Sequence, residues 1–261
     1  MGEKWEYVPF EYAIAPYGLS LSFKRVKSTR GCVAPDLKKN PVKRKESTLR
    51  MNSRLERCDA LLPSQADSMA QRKIPFLPNN YYHVYNRGAN RADIFFNDRD
   101  YVFLLKQIKE HIKEFDITVI AYCLMSNHYH LILRQNGDAK ISDFMQAVFY
   151  IYSSAFNTVH EHSGTLFEGP FQAILVDKTK YLLHLCRYIH RNPLEAGIVV
   201  RPEQWHYSNY PEFIGQRNGT LVDKEFVKMN FGSPEEYQDF VMNYVPPEKL
   251  QRELRHYLFW D

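Results

Sequence analysis

Cysteine is scarce in this chain. There are four in 261 residues, at positions 32, 58, 123 and 186, and no two of them form a CxxC pair. That spacing argues against a zinc knuckle and against a disulfide scaffold, and it implies a reducing, cytoplasmic setting. No window approaches the roughly 20 consecutive apolar residues of a membrane-spanning helix, and no charged-then-apolar start resembles a secretory signal. A membrane partner is therefore not expected. Strong net charge is also missing, the formal value being +4. Residues 1–72 hold 14 Lys and Arg against 8 Asp and Glu, which leaves 20 against 22 for residues 73–261. The later part is near neutral, so any nucleic-acid groove must come from local clusters of cations rather than bulk charge. Apolar residues at 44% and aromatics at 15% are enough for a proper core.

Residues 1–72 show no sustained helical or strand period and include a basic run at 38–45. They read either as a disordered basic arm that holds nucleic acid without sequence preference or as a segment with no selected structure. Met69 stands just before the first patterned segment and is an alternative start of translation.

Residues 73–200 are patterned throughout. Positions 80–85 alternate and are rich in β-formers, and Asn86, Arg87 and Gly88 signal a turn. A helix is expected over 99–115, with Asp98 as N-cap and Val102, Leu105, Ile108 and Ile112 on one face. Two strand-like runs follow, 117–125 and 127–134. A second helix starts near Ser142 and Asp143 and carries Phe144, Ala147, Val148, Ile151 and Ala155 as its stripe. After a loop at 160–168 come a short strand, 172–176, and a third helix, 178–191, capped by Asp177 and stopped by Pro193. The order β-α-β-β-α-β-α reads as an α+β, split βαβ fold, ferredoxin-like or RRM-like. It is an antiparallel four-stranded sheet with helices on one face. Residues 201–261 have two aromatic-rich stretches and a helical pattern at 234–244, and read as an accessory extension.

His128 and His130 sit inside the apolar strand run. Positions i and i+2 of a strand share a face, so two imidazoles stand side by side while Tyr129 turns away. Two neutral imidazoles make half of a divalent-metal site. The same pair also reads as two half-buried histidines satisfied by hydrogen bonds.

The third helix offers partners. Tyr188 and Asn192 are four apart and share a helical face, and His184 lies four before Tyr188. If that face looks onto the histidines, two imidazoles, an amide oxygen and a phenol meet. A phenol of pKa about 10 is a poor nucleophile at neutral pH. A divalent cation can draw charge from a phosphodiester and orient it for in-line attack. Attack by tyrosine conserves the bond energy in a phosphotyrosine and permits rejoining, which attack by water does not. Oxygen ligands and phosphate favour Mg²⁺ or Mn²⁺, and the imidazoles lean towards Mn²⁺. From periodicity alone Tyr188 also reads as an ordinary aromatic of an amphipathic helix, and His184 and His190 as caps of helix-end carbonyls.

Asn127-His128-Tyr129-His130 resembles the HUH motif, His-hydrophobic-His, of single-tyrosine transposases of the insertion-sequence type. Residues 187–197 resemble the tyrosine helix of that group, especially in REP-associated tyrosine transposases. Residues 85–88 and 164–171 fit its typical pattern too, so four ordered motifs span about residues 78–200. The resemblance implies that His128 and His130 bind the metal, that Asn192 occupies the third-ligand position and that Tyr188 is the nucleophile. Under the same comparison Tyr150 and Tyr152 are structural. Glu168 and Pro170 depart from the pattern, since many relatives carry Gln and Arg there, and this puts DNA contacts from that loop in doubt.

The expectation is a metal-dependent transposase, an endonuclease and strand transferase acting on single-stranded DNA at hairpin-containing sequences. As the resemblance implies, attack by Tyr188 gives a 5′-phosphotyrosine and a free 3′-hydroxyl. Lys178, Lys180, Arg187, Arg191 and Arg87 are candidate contacts to the strand backbone, the alternative being a solvated face. Tyr81, Tyr82 and Tyr85 are candidates for stacking on unpaired bases. Members of the wider superfamily can work as homodimers in which one subunit's tyrosine helix serves another's histidines, REP-associated relatives can act alone, and the sequence does not choose. Two rivals remain, a catalytically silent hairpin-binding protein and a metal phosphoesterase that uses water, with Tyr188 merely structural.

Overall fold

Alternation of β-formers in the first patterned segment and unbroken apolar runs in the next two produce the strands that organise the molecule. The structure, a computed structural model, describes residues 75–221 and 223–258. The expectations for residues 1–72, including the basic run, Cys32, Cys58 and Met69, lie outside the described residues. The elements are β1 (Asn80–Arg87), α1 (Asp98–His111), β2 (Ile117–Leu124), β3 (His128–Gln135), α2 (Ile141–Val159), β4 (Gln172–Val176) and α3 (Thr179–Glu195). The sheet runs β2-β3-β1-β4 with every neighbouring pair antiparallel. This is the expected α+β, split βαβ arrangement. No helix among the described residues is long and apolar enough to cross a membrane.

Strands β2 and β3 are buried at nearly every position, so both faces of the sheet exclude water. Tyr82, Val84, Leu131 and Leu133 share one core with Leu104, Ile108, Phe144 and Val148 of α1 and α2. That is the helix layer the sequence leads one to expect. Ala121, Cys123 and Ile132 face the other way, into a second core with Leu182, Leu185 and Ile189 of α3. Three later helices, α5 (Lys224–Asn230), α6 (Pro234–Met242) and α7 (Glu248–Leu254), follow the short α4 (Tyr210–Phe213) and close this second face. The pattern expected at 234–244 corresponds to α6. Cys123 and Cys186 are free and buried here, and burial pushes both thiols well up, which suppresses thiolate chemistry.

Several local expectations are corrected. Asn97, not Asp98, caps α1: its side chain accepts from Arg99 N–H, and Asp100 completes a capping box. The buried face of α1 is Tyr101, Leu104, Leu105 and Ile108, with Val102 half-buried beside it. Helix α2 begins at Ile141 after Lys140. Asp177 does not cap α3; Lys178 stands at the cap without a side-chain bond, and Asp177 accepts from the Tyr257 hydroxyl at 2.8 Å. Pro193 lies buried inside α3 rather than ending it. The helix stops at Gly197, whose φ of 68° suits glycine, with Gly197 N–H bonded to Leu194 O and Ile198 N–H to Pro193 O. That is a Schellman ending. The turn expected at 86–88 starts later, because Asn86 and Arg87 still pair with β3. Gly88 is required by close approach: a Cβ there would sit 2.0 Å from the Ala92 carbonyl oxygen.

The segment after α3 covers the open edge of β2, where unpaired backbone groups would otherwise remain. Leu124 N–H donates to Tyr207 O at 2.9 Å, and Trp205 Nε1–H donates to Leu124 O at 3.0 Å. Asn209, fully buried, accepts from Tyr122 N–H at 2.8 Å and donates to Ile120 O at 3.0 Å. Its Oδ1 also accepts from His190 Nε2–H at 2.9 Å, while His190 Nδ1 accepts from the Tyr237 hydroxyl at 2.6 Å. His190 is thus a core lock rather than a carbonyl cap. Asn209→Ala strands several buried polar groups at once and is expected to cost roughly 3 kcal/mol. Urea unfolding checks this, and a loss below about 1 kcal/mol would show that the edge needs no such plug.

Burial holds the His190 pKa down to about 4, with the Asn209 bond opposing. The folded value lies below the unfolded value of about 6.5, so the unfolded chain takes up the proton first as pH falls. Stability contributed by neutral His190 is present above pH about 6.5 and is lost on descending towards 4. Between pH 7 and 4.5 this amounts to roughly 2 kcal/mol. His190→Gln is expected to flatten the pH dependence of unfolding by about that amount; an unaltered slope would refute the assignment.

Candidate active site

His128 and His130 stand two apart on β3 and share a face, while Tyr129 turns to the other and stacks on Phe149 at 4.4 Å between ring centroids. In the antiparallel register Tyr85 lies opposite His130 and Arg87 opposite His128. His83, Tyr85 and Arg87 of β1 therefore join the histidine face. Helix α3 packs on that same side. The Tyr188 ring lies 5.6 Å from the His130 ring, edge to face. One turn on, Asn192 Oδ1 is 3.3 Å from His128 Nε2. The structure thus brings His128, His130, Tyr188 and Asn192 together within a single chain.

His184 does not join them. Its ring packs 5.2 Å from Phe240 and 5.3 Å from Tyr244. Each four-residue step along an α-helix overshoots a full turn by about 40°. When residues 188 and 192 face β3, residue 184 has rotated towards α6.

Proton positions on the pair follow from their partners. Asn127 Nδ2 donates to Arg91 O at 3.4 Å, which directs its Oδ1 to His128 Nδ1 at 2.6 Å. Both facing atoms are amide oxygens and only accept, so the shorter contact, to Asn127, takes the single proton of a neutral His128 on Nδ1 and leaves Nε2 towards Asn192 Oδ1. His128 Nε2 and Asn192 Oδ1, 3.3 Å apart, are both donor atoms of the kind that would hold a divalent cation. His130 is fully buried, and burial, then the neighbouring His83 and His128, hold its pKa well below the usual imidazole value. It is neutral, as a metal ligand must be. Among the described residues no group of three or more His, Cys, Asp and Glu is arranged for a metal ion. The amide oxygen of Asn192 would therefore have to complete the donor set.

The expected DNA-contact cations are engaged inside the chain. Arg187 donates to Phe240 O at 2.9 Å and Tyr244 O at 2.7 Å, and Arg191 to Val241 O at 3.0 Å. Both thus cap the C-terminal carbonyls of α6. Arg191 also pairs with Glu195 at 2.6 Å. Lys180 pairs with Glu253 at 3.1 Å, and Lys178 lies 5.2 Å from the centre of the Tyr181 ring. Arg87 pairs with Glu168 at 2.9 Å, so the acidic residue that departs from the family pattern neutralises the cation beside the histidines. Of the tyrosines expected to stack on bases, Tyr82 is fully buried and its hydroxyl donates to Pro75 O at 3.1 Å. It belongs to the core because it faces α1 and α2. Tyr81 and Tyr85 are half-buried, and Tyr85 lies on the histidine face with its ring 6.2 Å from His130. Of the two α2 tyrosines, Tyr152 is core and Tyr150 is exposed.

Sequence reasoning missed His83, the hydrogen bond of Asn127 to His128 and the backbone of Tyr257. The alternation of β1 puts His83 and Tyr85 on one face, but nothing local tells which strand pairs with β1 or in which register.

The sequence family described as transposase, IS200-like, matches residues 77–192. No curated protein matches the chain. Among solved structures, one of a REP-associated tyrosine transposase bound to a REP hairpin is 16% identical, with a TM-score of 0.48, covering 59% of this chain and 94% of its own. A candidate transposase from Deinococcus radiodurans is 16% identical, with a TM-score of 0.33, covering 45% of this chain and 92% of its own. The tRNA(His) guanylyltransferase of Saccharomyces cerevisiae, at 11% identity and a TM-score of 0.35, covers 67% of this chain and 76% of its own. These likenesses concern the path of the chain alone and are weak, whereas the sequence match contains the histidine pair, Tyr188 and Asn192. The sequence likeness to the IS200-like transposase family thus spans residues 77–192, somewhat under half of the chain.

Proposed function

We propose that this chain is a transposase that nicks and rejoins single-stranded DNA at hairpin-containing sequences through a covalent bond to Tyr188. The observation that carries the reading is the meeting of Tyr188 and Asn192 of α3 with His128 and His130 of β3. In the step, Tyr188 Oη forms a bond to phosphorus and the bond to the 3′ oxygen breaks. The 3′ oxygen keeps the bonding pair and gains a proton, and the phenol loses one. The products are a 5′-phosphotyrosine on the downstream fragment and a free 3′-hydroxyl, and attack by a second 3′-hydroxyl reverses the step. The polarity follows from the family resemblance.

His128, His130 and Asn192 would hold a divalent cation, Mg²⁺ or Mn²⁺, through two imidazole nitrogens and an amide oxygen. When bound, the cation supplies charge withdrawal from the scissile phosphate and helps orient it. The protein's share is positional: Tyr188 is half-buried on a helix anchored by Leu185 and Ile189, which restricts where its hydroxyl reaches. All four residues come from one chain, which supports a site complete in one protomer.

End-labelled hairpin oligonucleotides test the reading. With Mn²⁺ present, label at the 3′ end is expected to migrate with the protein and label at the 5′ end to be released. Two free fragments would instead indicate hydrolysis by water, and a mobility shift without any cleavage a silent binding protein.

A further inference from the structure

We infer that His83 is a positioning residue: held by the backbone carbonyl of Tyr257, it fixes His130 in the Nδ1–H tautomer and so reserves the lone pair of His130 Nε2 for the site. The inference rests on the reading of His130 as a metal ligand.

The chain of constraints starts at the carbonyl. Tyr257 O has no proton to give, so His83 Nδ1, 2.7 Å away, must be the donor. His83 is fully buried, where a charged imidazole is disfavoured, so the proton on Nδ1 is its only one and its Nε2 accepts. The atom facing Nε2 is His130 Nδ1 at 3.1 Å, so that nitrogen is a donor. His130 is neutral as well, and its only proton is spent on His83. Asn127 imposes the same tautomer on His128 by a separate bond. Both imidazoles of the pair are thus set to offer Nε2, although they are reached from different elements. Metal-binding histidines generally donate their other N–H to a carbonyl, a carboxylate or a water. Here His83 stands between ligand and carbonyl as an intermediate link.

The relay also gives the C-terminal segment a role in the site. Tyr257 is pinned by its hydroxyl to Asp177, just before α3, and its ring lies 5.0 Å from that of Tyr181. The carbonyl that orients His83 is therefore held by the same helix that carries Tyr188 and Asn192.

Long-range ¹H–¹⁵N correlation spectra of the full, metal-free chain report each histidine tautomer directly. His83, His128 and His130 are expected as Nδ1–H. His83→Phe is expected to shift His130 towards Nε2–H and to weaken Mn²⁺ binding about tenfold or more. Binding of a hairpin oligonucleotide in EDTA is expected to stay within about twofold, because no DNA contact of His83 is invoked. His83→Gln, whose Oε1 accepts from His130, is expected to keep the Nδ1–H form and to hold Mn²⁺ affinity within about threefold of the unsubstituted chain. If His83→Phe does not fold, the unsubstituted spectrum and His83→Gln still decide. His130 found as Nε2–H in the unsubstituted chain, or unweakened Mn²⁺ binding in folded His83→Phe, overturns the relay. The expected tautomers without any Mn²⁺ binding would support the relay and remove the metal reading.

Discussion

Tyr188→Phe is expected to lower cleavage of a hairpin-bearing single strand by roughly 10³-fold or more while leaving DNA binding within about twofold. The substitution removes one oxygen and keeps the ring, so the packing of α3 against His130 persists. No other group is asked to supply the attacking atom. Tyr85 is the natural control, because its ring also lies on the histidine face, 6.2 Å from His130. Burial raises its pKa, which makes it a worse nucleophile. Tyr85→Phe is expected to retain cleavage within about tenfold. Equal losses in the two variants would remove the distinction between them. Single-turnover rates with a gel-shift control measure both.

The second large effect is expected for His128→Ala, which should abolish cleavage and reduce Mn²⁺ binding below detection. A site of two imidazoles and one amide has few donors, so losing one leaves no tight chelate. EDTA should reproduce the variant in the unsubstituted chain, and excess Mn²⁺ should reverse EDTA but not the substitution. His128 makes side-chain bonds to Asn127 and Asn192, both near the surface, so unfolding free energy should fall by no more than roughly 1–2 kcal/mol. Cleavage by His128→Ala at the unsubstituted rate would mean that the histidine pair serves the fold alone.

Much of the fold was legible because it is written in local periods. The strand at 172–176 and the apolar runs around residues 120 and 130 correspond to β4, β2 and β3. The two-residue step from His128 to His130 on a strand and the four-residue step from Tyr188 to Asn192 on a helix put each pair on one face, and the family resemblance linked the two faces. What escaped notice depends on distant partners. Arg187 and Arg191 read as free cations until α6 presents its carbonyls some 50 residues later. His83 meets its carbonyl 174 residues away, a separation with no local signature. Nor did the sequence reveal that β2 and β3 are covered on both faces, because an unbroken apolar run tells that a strand is buried without telling what buries it. The end of α3 was misjudged for a different reason. Pro193 is a valid helix breaker in isolation, but burial of that turn and the Schellman ending at Gly197 outweigh it.

The proposed function stands on a covalent bond between Tyr188 and DNA. The most direct measurement incubates the full chain with a 3′-labelled hairpin oligonucleotide and Mn²⁺, isolates any adduct under denaturing conditions and maps it by mass spectrometry. A nucleotide fragment attached through phosphate to Tyr188, absent from Tyr188→Phe, is the predicted result. Cleavage that persists in Tyr188→Phe, with no adduct on the unsubstituted chain, would contradict it.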